Sequence, residues 1–298
     1  MPNILITGGC GFIGSHVAER FEKNNSVIII DNLSSGKIEN IAHIINHVTY
    51  HNLDICNYDD IKNVFQNIDS VVHLAANVSV QYSIKNIIKS SEINVQGFLN
   101  VLELSRKYNV KKIFYASSAA VFGDNQNMPL DESSITNPIS PYGLEKKINE
   151  QYAGLYKKLY NTNILGLRFF NVYGQRQRPD SMYAGVISKF IDYNKKCKPF
   201  IINGDGMQTR DFINVEDIAD VIFKLNKLTK FDIEVANIAT GKKTSILDLA
   251  NIINKENKKI FKQKQTGDIK NSYADISQLN RMIPNLELKP LVEAIKNL

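Results

Sequence analysis

The sequence predicts an α/β fold, a doubly wound parallel Rossmann-type sheet with a smaller C-terminal substrate lobe. Short, continuously apolar segments alternate with amphipathic ones up to about Val172. This alternation is typical of a parallel sheet covered by helices on both faces. A glycine-rich turn, residues 7–14, also joins the first apolar segment to the first amphipathic one. Right-handed crossovers between such strands give a doubly wound sheet.

The elements of the first half follow from this alternation. The predicted strands are Asn3–Thr7, Val27–Asp31, His47–Leu53, Ser70–Ala75, Lys112–Ala116 and Asn163–Phe170. The predicted helices are Gly11–Lys23, Asp60–Asn67, Glu92–Asn109 and Tyr142–Tyr160. In the first helix, Ile13, Val17 and Phe21 fall on one face, as helical periodicity requires.

The pattern becomes irregular after Val172. We predict a loop over 176–182, a strand and turn over 200–207, and a strand over 235–238. A helix over 245–254 is predicted to be capped by Ser245. Residues 1–172 are predicted to form the cofactor-binding domain, joined by returning segments near 211–240, and residues 173–298 are predicted to form mainly the substrate lobe.

Composition narrows the class of protein. Of the 298 residues, 43% are hydrophobic and 22% charged, and the net charge is +6, which fits an ordinary globular protein. The chain has no dense basic run interleaved with aromatic residues, so nucleic-acid binding is not expected. Mild positive charge would suit an anionic small substrate.

The cysteines and histidines favour neither a metal site nor a disulfide framework. Cys10, Cys56 and Cys197 are widely spaced, and the five histidines form no HExxH cluster. No apolar run is long enough to span a bilayer, and the N-terminus enters a strand at once. We expect a cytoplasmic protein without metal or membrane contact.

The glycine turn is a candidate dinucleotide site. Gly8, Gly11 and Gly14 form G-x-x-G-x-x-G between a strand and a helix, with Phe12 and Ile13 at the helix start. Glycines there let backbone N–H groups approach a pyrophosphate. A strand-to-helix turn also uses glycine for steric reasons alone, but the strand–helix–strand context favours the cofactor role.

Carboxylates after the second and third strands are expected to read the adenosine half of the cofactor. Asp31 would hold the ribose hydroxyls, which favours NAD because a 2′-phosphate would be repelled. Asp54 would accept from the adenine amino group, and Asn32 and Ile55 stand beside these two residues. Both carboxylates could instead cap turns.

Tyr142 and Lys146 lie one helical turn apart. A nearby ammonium favours the phenolate form of a tyrosine and lowers its pKa, so Tyr142 could take a proton from a sugar hydroxyl. Ser118 ends a preceding strand, where side chains line the ligand crevice of a doubly wound sheet. Ser118 could hydrogen-bond the reacting oxygen; its alternative role is a strand-end cap.

Together these motifs carry a family resemblance. The matching segments are TGGCGFIG (7–14), DNLSSG (31–36), HLAA (73–76), SSAAVFG (117–123), Tyr142 with Lys146, LRFFNVYG (167–174) and RDFINV (210–215). From the first strand to about Asp275, the sequence resembles the extended short-chain dehydrogenase/reductases, and most closely the nucleotide-sugar 4-epimerases.

The resemblance implies roles for individual residues. Ser118, Tyr142 and Lys146 would be catalytic. Leu74, Ala75, Ala76 and Asn94 would lie near NAD, as would Tyr142 and Lys146. The residues expected to bind a UDP-sugar are Ser118, Asn171, Arg210, Asp268 and Ser272. Alternatives remain: Asn171 could fix a turn, and Arg210 with Asp211 could form a surface ion pair. Relatives pair two subunits through the helices at 92–109 and 142–160, which implies a homodimer.

Departures from the family pattern refine the activity. Ala119 and Ala120 follow Ser118, whereas dehydratases and decarboxylases of the superfamily tend to have an acidic residue there, so a 4-epimerase is favoured. Gln265 occupies a position where many relatives have a phosphate-binding arginine. Lys264 or Arg176 could substitute for that arginine. The small side chain of Ser272 and the segment 183–190 suggest room for an N-acetyl group.

The expected activity is therefore NAD-dependent epimerisation at C4 of a UDP-sugar: UDP-glucose/UDP-galactose and, given that room, UDP-GlcNAc/UDP-GalNAc. A dehydratase, a decarboxylase or a uronate epimerase is the alternative within the superfamily. A non-catalytic NAD-binding module is the alternative outside enzyme chemistry.

Overall fold

The structure, a computed structural model, describes residues 1–178, 185–263 and 269–298. Seven of its strands form one parallel sheet, and the others form small two- and three-stranded sheets. The strands are β1 Asn3–Thr7, β2 Ser26–Ile30, β3 Val48–His51, β4 Ser70–His73, β5 Lys112–Ser118, β6 Ile164–Phe169, β7 Asn171–Tyr173, β8 Phe200–Asn203, β9 Thr209–Arg210, β10 Phe212–Asn214, β11 Val235–Ile238, β12 Thr244–Ser245, β13 Lys259–Lys262 and β14 Asn271–Ser272.

The helices cover both faces of the large sheet and build the lobe. They are α1 Phe12–Glu22, α2 Tyr58–Ile61, α3 Val80–Lys85, α4 Ile87–Ser91, α5 Gly97–Lys107, α6 Pro141–Tyr160, α7 Val186–Lys195, α8 Val215–Leu225, α9 Ile246–Asn254, α10 Ser277–Met282 and α11 Leu291–Lys296. Short 3-10 turns cover Ile38–His47, Lys62–Phe65 and Ala119–Phe122, and a π-helical turn, Glu92–Gln96, joins α4 to α5.

The order of strands in the large sheet is β11-β6-β5-β4-β1-β2-β3. The chain runs outward in one direction from β1 to β3 and in the other from β4 to β11. The order therefore reverses between β1 and β4, which pair in parallel from Ile4 opposite Ser70 to Thr7 opposite His73. A doubly wound sheet opens a ligand crevice at the carboxyl ends of the strands at such a point, so the predicted fold is confirmed.

The two faces of the large sheet pack against separate apolar cores, because successive residues of a strand face opposite sides of the sheet. Ile4 and Ile6 of β1 face α1 and α8, whereas Leu5 faces the core that includes α5. A third core, with Phe190 and Phe200 stacked at 4.7 Å between ring centroids, belongs to the lobe.

The second half differs most from the sequence expectation. Helices α7 and α8 were not anticipated, although both are amphipathic. β11 of this half adds to the edge of the main sheet beside β6, and α8 packs on α1. The boundary at residue 172 stays a prediction. Ser245 caps α9 as predicted, because its hydroxyl accepts from the Asp248 N–H at 2.9 Å.

Candidate active site

The glycine turn leaves the amino end of α1 open. Gly8 has φ +73°, and a Cβ there would lie 2.7 Å from the backbone nitrogen of Ala75, so the turn packs directly on the segment after β4. Gly11, which precedes α1, offers no side-chain cap. The first N–H groups of a helix lack intrahelical partners and favour an anion. This part of the turn therefore fits a pyrophosphate.

Asp31 lies beside this turn at the carboxyl end of β2. Its carboxylate accepts from the N–H of Cys10 at 2.9 Å and of Leu33 at 2.8 Å, so the turn-capping alternative is realised. Burial raises the pKa of Asp31, while these two backbone donors lower it. A carboxylate has about four lone-pair sites, so a ribose contact stays a prediction for the sites that remain.

Asp54 and Asn32 are joined directly, since the Asn32 amide donates to Asp54 at 3.0 Å. Burial alone would raise the pKa of Asp54, but its bonds with Cys56 and Asn32 hold that pKa below its usual value. The Cys56 N–H donor shows that Asp54 also caps a turn. Ile55, which follows Asp54, is buried against the core that includes α5. The adenine contact proposed for Asp54 stays a prediction.

The segment after β4 closes the other side of the crevice. Leu74 and Ala75 follow β4 directly, and the Leu74 N–H donates to the Thr7 carbonyl at 3.0 Å. Asn94 fixes the end of this segment through both atoms of its amide, accepting from the Asn77 N–H at 2.8 Å and donating to the Asn77 carbonyl at 2.9 Å. The Asn94 side chain is therefore used within the protein, which makes its role toward a cofactor indirect.

Ser118, Tyr142 and Lys146 lie close together, as the sequence predicted. Ser118 ends β5, Tyr142 and Lys146 lie in the first turns of α6, and Ser118 is close enough to Tyr142 to lower its pKa. Lys146 Nζ lies 5.8 Å from the centroid of the Tyr142 ring. Ser118 also accepts from the Ala120 N–H at 3.1 Å, so it caps the strand end as well.

Lys146 was expected to lower the pKa of Tyr142, but in the protein chain alone that pKa is raised. Burial raises the pKa of Tyr142 to about 12, even though Ser118 lowers it. Burial likewise lowers the pKa of Lys146 to about 8. Both groups are buried, and desolvation disfavours each charged form. The role of Lys146 in holding Tyr142 ionised stays a prediction.

The residues predicted to bind the nucleotide diphosphate lie just beyond the catalytic strand ends. Ser118 pairs with Phe169 in the sheet, and Asn171 follows two residues later. The Asn171 N–H and side-chain amide both donate to the Asp211 carbonyl, so it also fixes the local backbone. Arg210 on β9 pairs in register with Ser272 on β14. These substrate roles stay predictions.

Asp211 ties this substrate region together. It is fully buried, which rules out the surface ion pair with Arg210 considered from the sequence. Its carboxylate accepts from the N–H and hydroxyl of Thr240 and from the N–H of Gly241 and Ala274. Burial raises the pKa of Asp211 against these donors. Asp211 thus joins the segments that carry Arg210 and Ser272.

Two further residues were considered from the sequence as phosphate ligands. Arg176 donates to Glu19 of α1 at 2.6 Å and to the Ser15 hydroxyl at 3.3 Å. These bonds tie it to α1, and its suggested role in place of a phosphate-binding arginine stays a prediction. Lys264, Gln265 and Asp268, like Tyr183, lie outside the described residues.

Sequence reasoning missed several buried polar residues around α6. Arg168 on β6 pairs with Glu150 at 2.8 Å, and the Ser117 hydroxyl donates to the same carboxylate at 2.7 Å. The Ser83 hydroxyl accepts from the Tyr142 N–H at 3.1 Å and thereby holds the start of α6. The signal was present in the sequence, because α6 carries polar residues on the stripe that should be apolar if it only packed against a core.

Comparison with known proteins places the chain in a family. Residues 4–239 match the model of the NAD dependent epimerase/dehydratase family. The chain belongs to this family, as its glycine turn and its Ser118, Tyr142 and Lys146 predicted, and the predicted cofactor, NAD, is confirmed.

Individual relatives span nearly the whole chain. A putative UDP-glucose 4-epimerase of Methanocaldococcus jannaschii is 41% identical, over 99% of this chain and 97% of its own. The structure of a UDP-N-acetylglucosamine 4-epimerase from Methanobrevibacter ruminantium, in complex with UDP-N-acetylmuramic acid, has a TM-score of 0.94 at 36% identity and covers 99% of this chain and 96% of its own. The UDP-glucose 4-epimerase of Thermotoga maritima, with UDP-glucose, has a TM-score of 0.92 at 34% identity with the same coverage.

The described residues form neither a membrane-spanning helix nor a cluster of metal-ligating side chains. No helix in the described ranges combines the length and apolarity needed to cross a bilayer. Within the same ranges, no three histidine, cysteine or acidic side chains gather where they could share a metal ion. Cys10 is buried, Cys56 is half-buried and Cys197 is exposed, and all three are free thiols.

Proposed function

We propose that the protein interconverts the C4 epimers of a UDP-sugar with NAD as a tightly held cofactor. The observation that carries this proposal is the position of Tyr142. Tyr142 lies in the first turn of α6, close enough to Ser118 at the carboxyl end of β5 for Ser118 to lower its pKa, and Lys146 lies one helical turn away. A proton acceptor at Tyr142 would lie beside the switch point of the sheet, where a doubly wound fold binds its ligands.

The chain supplies proton transfer and orientation. Tyr142, as the phenolate, accepts the proton of the C4 hydroxyl while Ser118 orients that oxygen. NAD+, held at the glycine turn of residues 7–14, would supply the acceptor and donor of the C4 hydride and a positive charge that favours the Tyr142 phenolate. The 4-keto sugar then turns about its pyrophosphate, held at Arg210 and Asn171, and presents its other face. Tyr142 returns the proton to the oxygen, so the reaction has no net redox change.

The absence of an acid after Ser118 supports epimerisation over elimination. Ala119 and Ala120 follow Ser118 on a short 3-10 turn, and neither can donate or accept a proton. A dehydratase or decarboxylase would release water or carbon dioxide and give a product of lower mass. Epimers have equal mass, so mass spectrometry of the product separates these reaction types.

Tyr142→Phe tests the assignment of the base. Removing the phenolic oxygen removes the proton acceptor, so kcat is expected to fall by about 10²–10⁴. The dissociation constant for NAD, measured by calorimetry, should stay within a few-fold of the unaltered protein. Full activity of this variant would overturn the mechanism. NAD binding without turnover of any sugar nucleotide would instead favour the non-catalytic module.

The sugar accepted is tested by separate incubation with UDP-glucose, UDP-N-acetylglucosamine and UDP-glucuronate, followed by chromatographic separation of the epimers. We propose that the first two are substrates, since Ser272, paired with Arg210, has a small side chain that leaves volume for an N-acetyl group. Turnover of UDP-glucose alone would contradict this extension. Turnover of UDP-glucuronate alone would favour the uronate epimerase alternative.

We further propose that two copies of the chain form a homodimer in the cytoplasm. The support is a set of exposed apolar side chains on neighbouring helices α3, α4 and α6. They are Ile84, Ile87, Ile88, Leu144, Leu155 and Leu159. On α6 the three leucines share one face by helical spacing. Exposed apolar clusters of this kind mark interaction surfaces, and free thiols fit a reducing compartment.

The division of labour proposed for the chain follows its topology. Residues 1–172 form the NAD-binding domain, and residues 173–298 mainly form the substrate lobe. α8 and β11 return from the second part to the main sheet. Because the two parts share that sheet, we propose that they unfold as one unit. A single thermal transition seen by calorimetry would agree with this, and two separated transitions would contradict it.

A further inference from the structure

Helix α6 carries a second buried acid next to the proposed catalytic pair. Two carboxyl groups, those of Glu145 and Glu150, are buried on this helix. Glu150 is neutralised by Arg168 at 2.8 Å. Glu145 has no such ion pair with any described cation, and the proposed mechanism does not use it. A buried charge without a paired cation is costly, so its place beside Tyr142 and Lys146 calls for a role.

The bonds of Glu145 are one-sided. Glu145 is only 4% exposed. One oxygen, Oε2, accepts from the Ser90 hydroxyl at 2.9 Å and from the Asn94 amide at 2.6 Å. The other, Oε1, is buried and has no hydrogen-bond partner among the described residues. The negative charge is therefore anchored by neutral donors and only partly screened.

Asn94 connects Glu145 to the crevice. Its amide also holds both the N–H and the carbonyl of Asn77, at the end of the segment that lines the predicted cofactor site. The Asn149 amide of α6 donates to the Asn94 carbonyl at 2.9 Å. Asn94 stands in the π-helical turn Glu92–Gln96, and such turns often occur at functional sites. Glu145 thus ends a continuous polar network between α6 and the crevice wall.

The charge of Glu145 acts on both members of the catalytic pair. Lys146 is 2% exposed, and its ammonium donates to one neutral acceptor, the Ala116 carbonyl, at 2.9 Å. Glu145 immediately precedes Lys146 on α6 and follows Tyr142 by three residues, a spacing at which side chains are neighbours on the helix surface. In keeping with this placement, the negative charge of Glu145 raises the pKa of Lys146 and that of Tyr142. His73, from β4, is the other titratable group that interacts with Lys146. Burial lowers the pKa of His73 to about 3, so it is neutral.

We propose that Glu145 is a positioning residue that sets the proton affinity of the Tyr142–Lys146 pair through its buried charge. Its anchoring by Ser90 and Asn94 fixes that charge beneath the crevice wall. This inference deepens the proposed function and rests on it for its catalytic meaning. The physical basis is general, since a nearby negative charge stabilises an ammonium and destabilises a phenolate.

The sign of the effect is determined by the charge. A negative group raises the pKa of both Lys146 and Tyr142, as the structure indicates for Glu145. Replacing Glu145 by the neutral and nearly isosteric Gln should lower both values. A shift of about 1 pH unit is expected from removing one close charge. Because the two groups shift in the same direction, the whole pH profile of kcat should move to lower pH.

A titration of Tyr142 tests this without any substrate. The near-ultraviolet tyrosinate absorbance of the full chain minus that of its Tyr142→Phe variant reports this one phenol. The same difference is measured in the Glu145→Gln background. The expected result is a midpoint about 1 pH unit lower. An unchanged midpoint would overturn the inference. Should Glu145→Gln fail to fold, Glu145→Ser removes the same charge and gives the same readout.

Two matched variants separate the charge from structure alone. Ser90→Ala removes one bond to Glu145 but keeps its charge, and Glu150→Gln neutralises the other buried carboxyl of α6. Both are expected to lower the melting temperature without moving the Tyr142 midpoint. An equal shift in either variant would overturn the inference. A shift specific to Glu145→Gln in a protein that turns over no sugar nucleotide would support the inference and reject the proposed function, so the two failures are distinguishable.

Discussion

Gly14 shows how one residue type is imposed by close backbone approach. A Cβ at this position would collide with the carbonyl oxygen of Gly8, because the start of α1 packs on the turn that precedes it. We expect Gly14→Ala to displace the turn, to lower the free energy of unfolding by about 1–3 kcal/mol, and to weaken NAD binding at least tenfold. Calorimetry measures both quantities.

Gly154 provides the control for this substitution. It lies inside α6, and the atoms nearest to an added Cβ belong to the end of the exposed Glu234 side chain, from 3.1 Å. Gly154→Ala should be neutral or stabilising by up to about 1 kcal/mol, because alanine favours a helix over glycine. Equal losses of NAD affinity in both variants would contradict the assignment of the turn.

Asp217 gives the chain a pH dependence outside the active site. Burial raises its pKa to about 6, and the Lys289 N–H that it accepts at 2.9 Å opposes this only partly. Folding raises the pKa of this carboxyl. At a pH between its unfolded and its folded pKa, the folded chain therefore binds more protons than the unfolded chain. The stabilising contribution of Asp217 is therefore present at low pH and lost as the pH rises through about 6.

Asp217→Asn removes this penalty. The free energy of unfolding should rise by about 1–3 kcal/mol near pH ~7.5, where Asp217 is charged, and by much less near pH ~4.5. Urea unfolding at the two pH values measures the difference. Asp232→Asn, at an exposed carboxyl, is the control and should change stability little at either pH. Equal gains of Asp217→Asn at both values would refute the explanation.

At the scale of elements, the start of α6 determines where Tyr142 points. Ser140 caps this helix by accepting from the Gly143 N–H at 3.1 Å, and Pro141 opens its first turn. We expect Ser140→Ala to cost about 1 kcal/mol of stability. Because Tyr142 lies in the same turn, kcat should fall as well.

The cap of α9 separates these two effects. Ser245→Ala removes the corresponding bond from the Asp248 N–H, and with it the bond that the Ser245 hydroxyl donates to the Asp248 carboxylate. The substitution is in the lobe helix, where no proposed catalytic residue lies. Its stability loss should be similar, about 1 kcal/mol, with kcat unchanged. If both variants lost kcat in proportion to stability, the first turn of α6 would have no specific part in positioning Tyr142.

The same elements show which parts of the fold a sequence can specify. Strands β1, β2, β4, β5 and β6 were predicted nearly in full because a strand buried on both faces is continuously apolar. α7 and α8 were not predicted, because they follow a region in which the alternation of apolar and amphipathic segments is irregular. α7 packs in the core of the lobe, whereas α8 packs on α1 beside the main sheet. The predicted helix over 60–67 is one short α-helix, Tyr58–Ile61, followed by a 3-10 turn.

At the scale of the whole molecule, the exposed apolar face of α6 predicts how two chains meet. Leu159 is 62% exposed. We expect Leu159→Lys combined with Leu155→Lys to give a monomer by light scattering at micromolar concentration, because two buried charges would oppose association.

A substitution elsewhere on the surface is the matched control. Phe261 on β13 of the lobe is also exposed. The Phe261→Lys variant should have the same oligomeric mass by light scattering as the unaltered protein. A monomeric mass of the unaltered protein would reject the dimer. Dissociation by Phe261→Lys alone would place the interface on the lobe.

The sequence by itself determined the class of fold, the glycine turn, and the Ser118, Tyr142 and Lys146 set. These depend on local patterns: apolar runs, turn glycines and fixed spacing along a helix. Tertiary structure decided what these patterns leave open. It returned β11 to the main sheet, tied Arg176 to α1, and buried Tyr142 and Lys146 deeply enough for desolvation to dominate the pKa of each. Burial and long-range pairing depend on contacts between distant residues, and local sequence does not specify them.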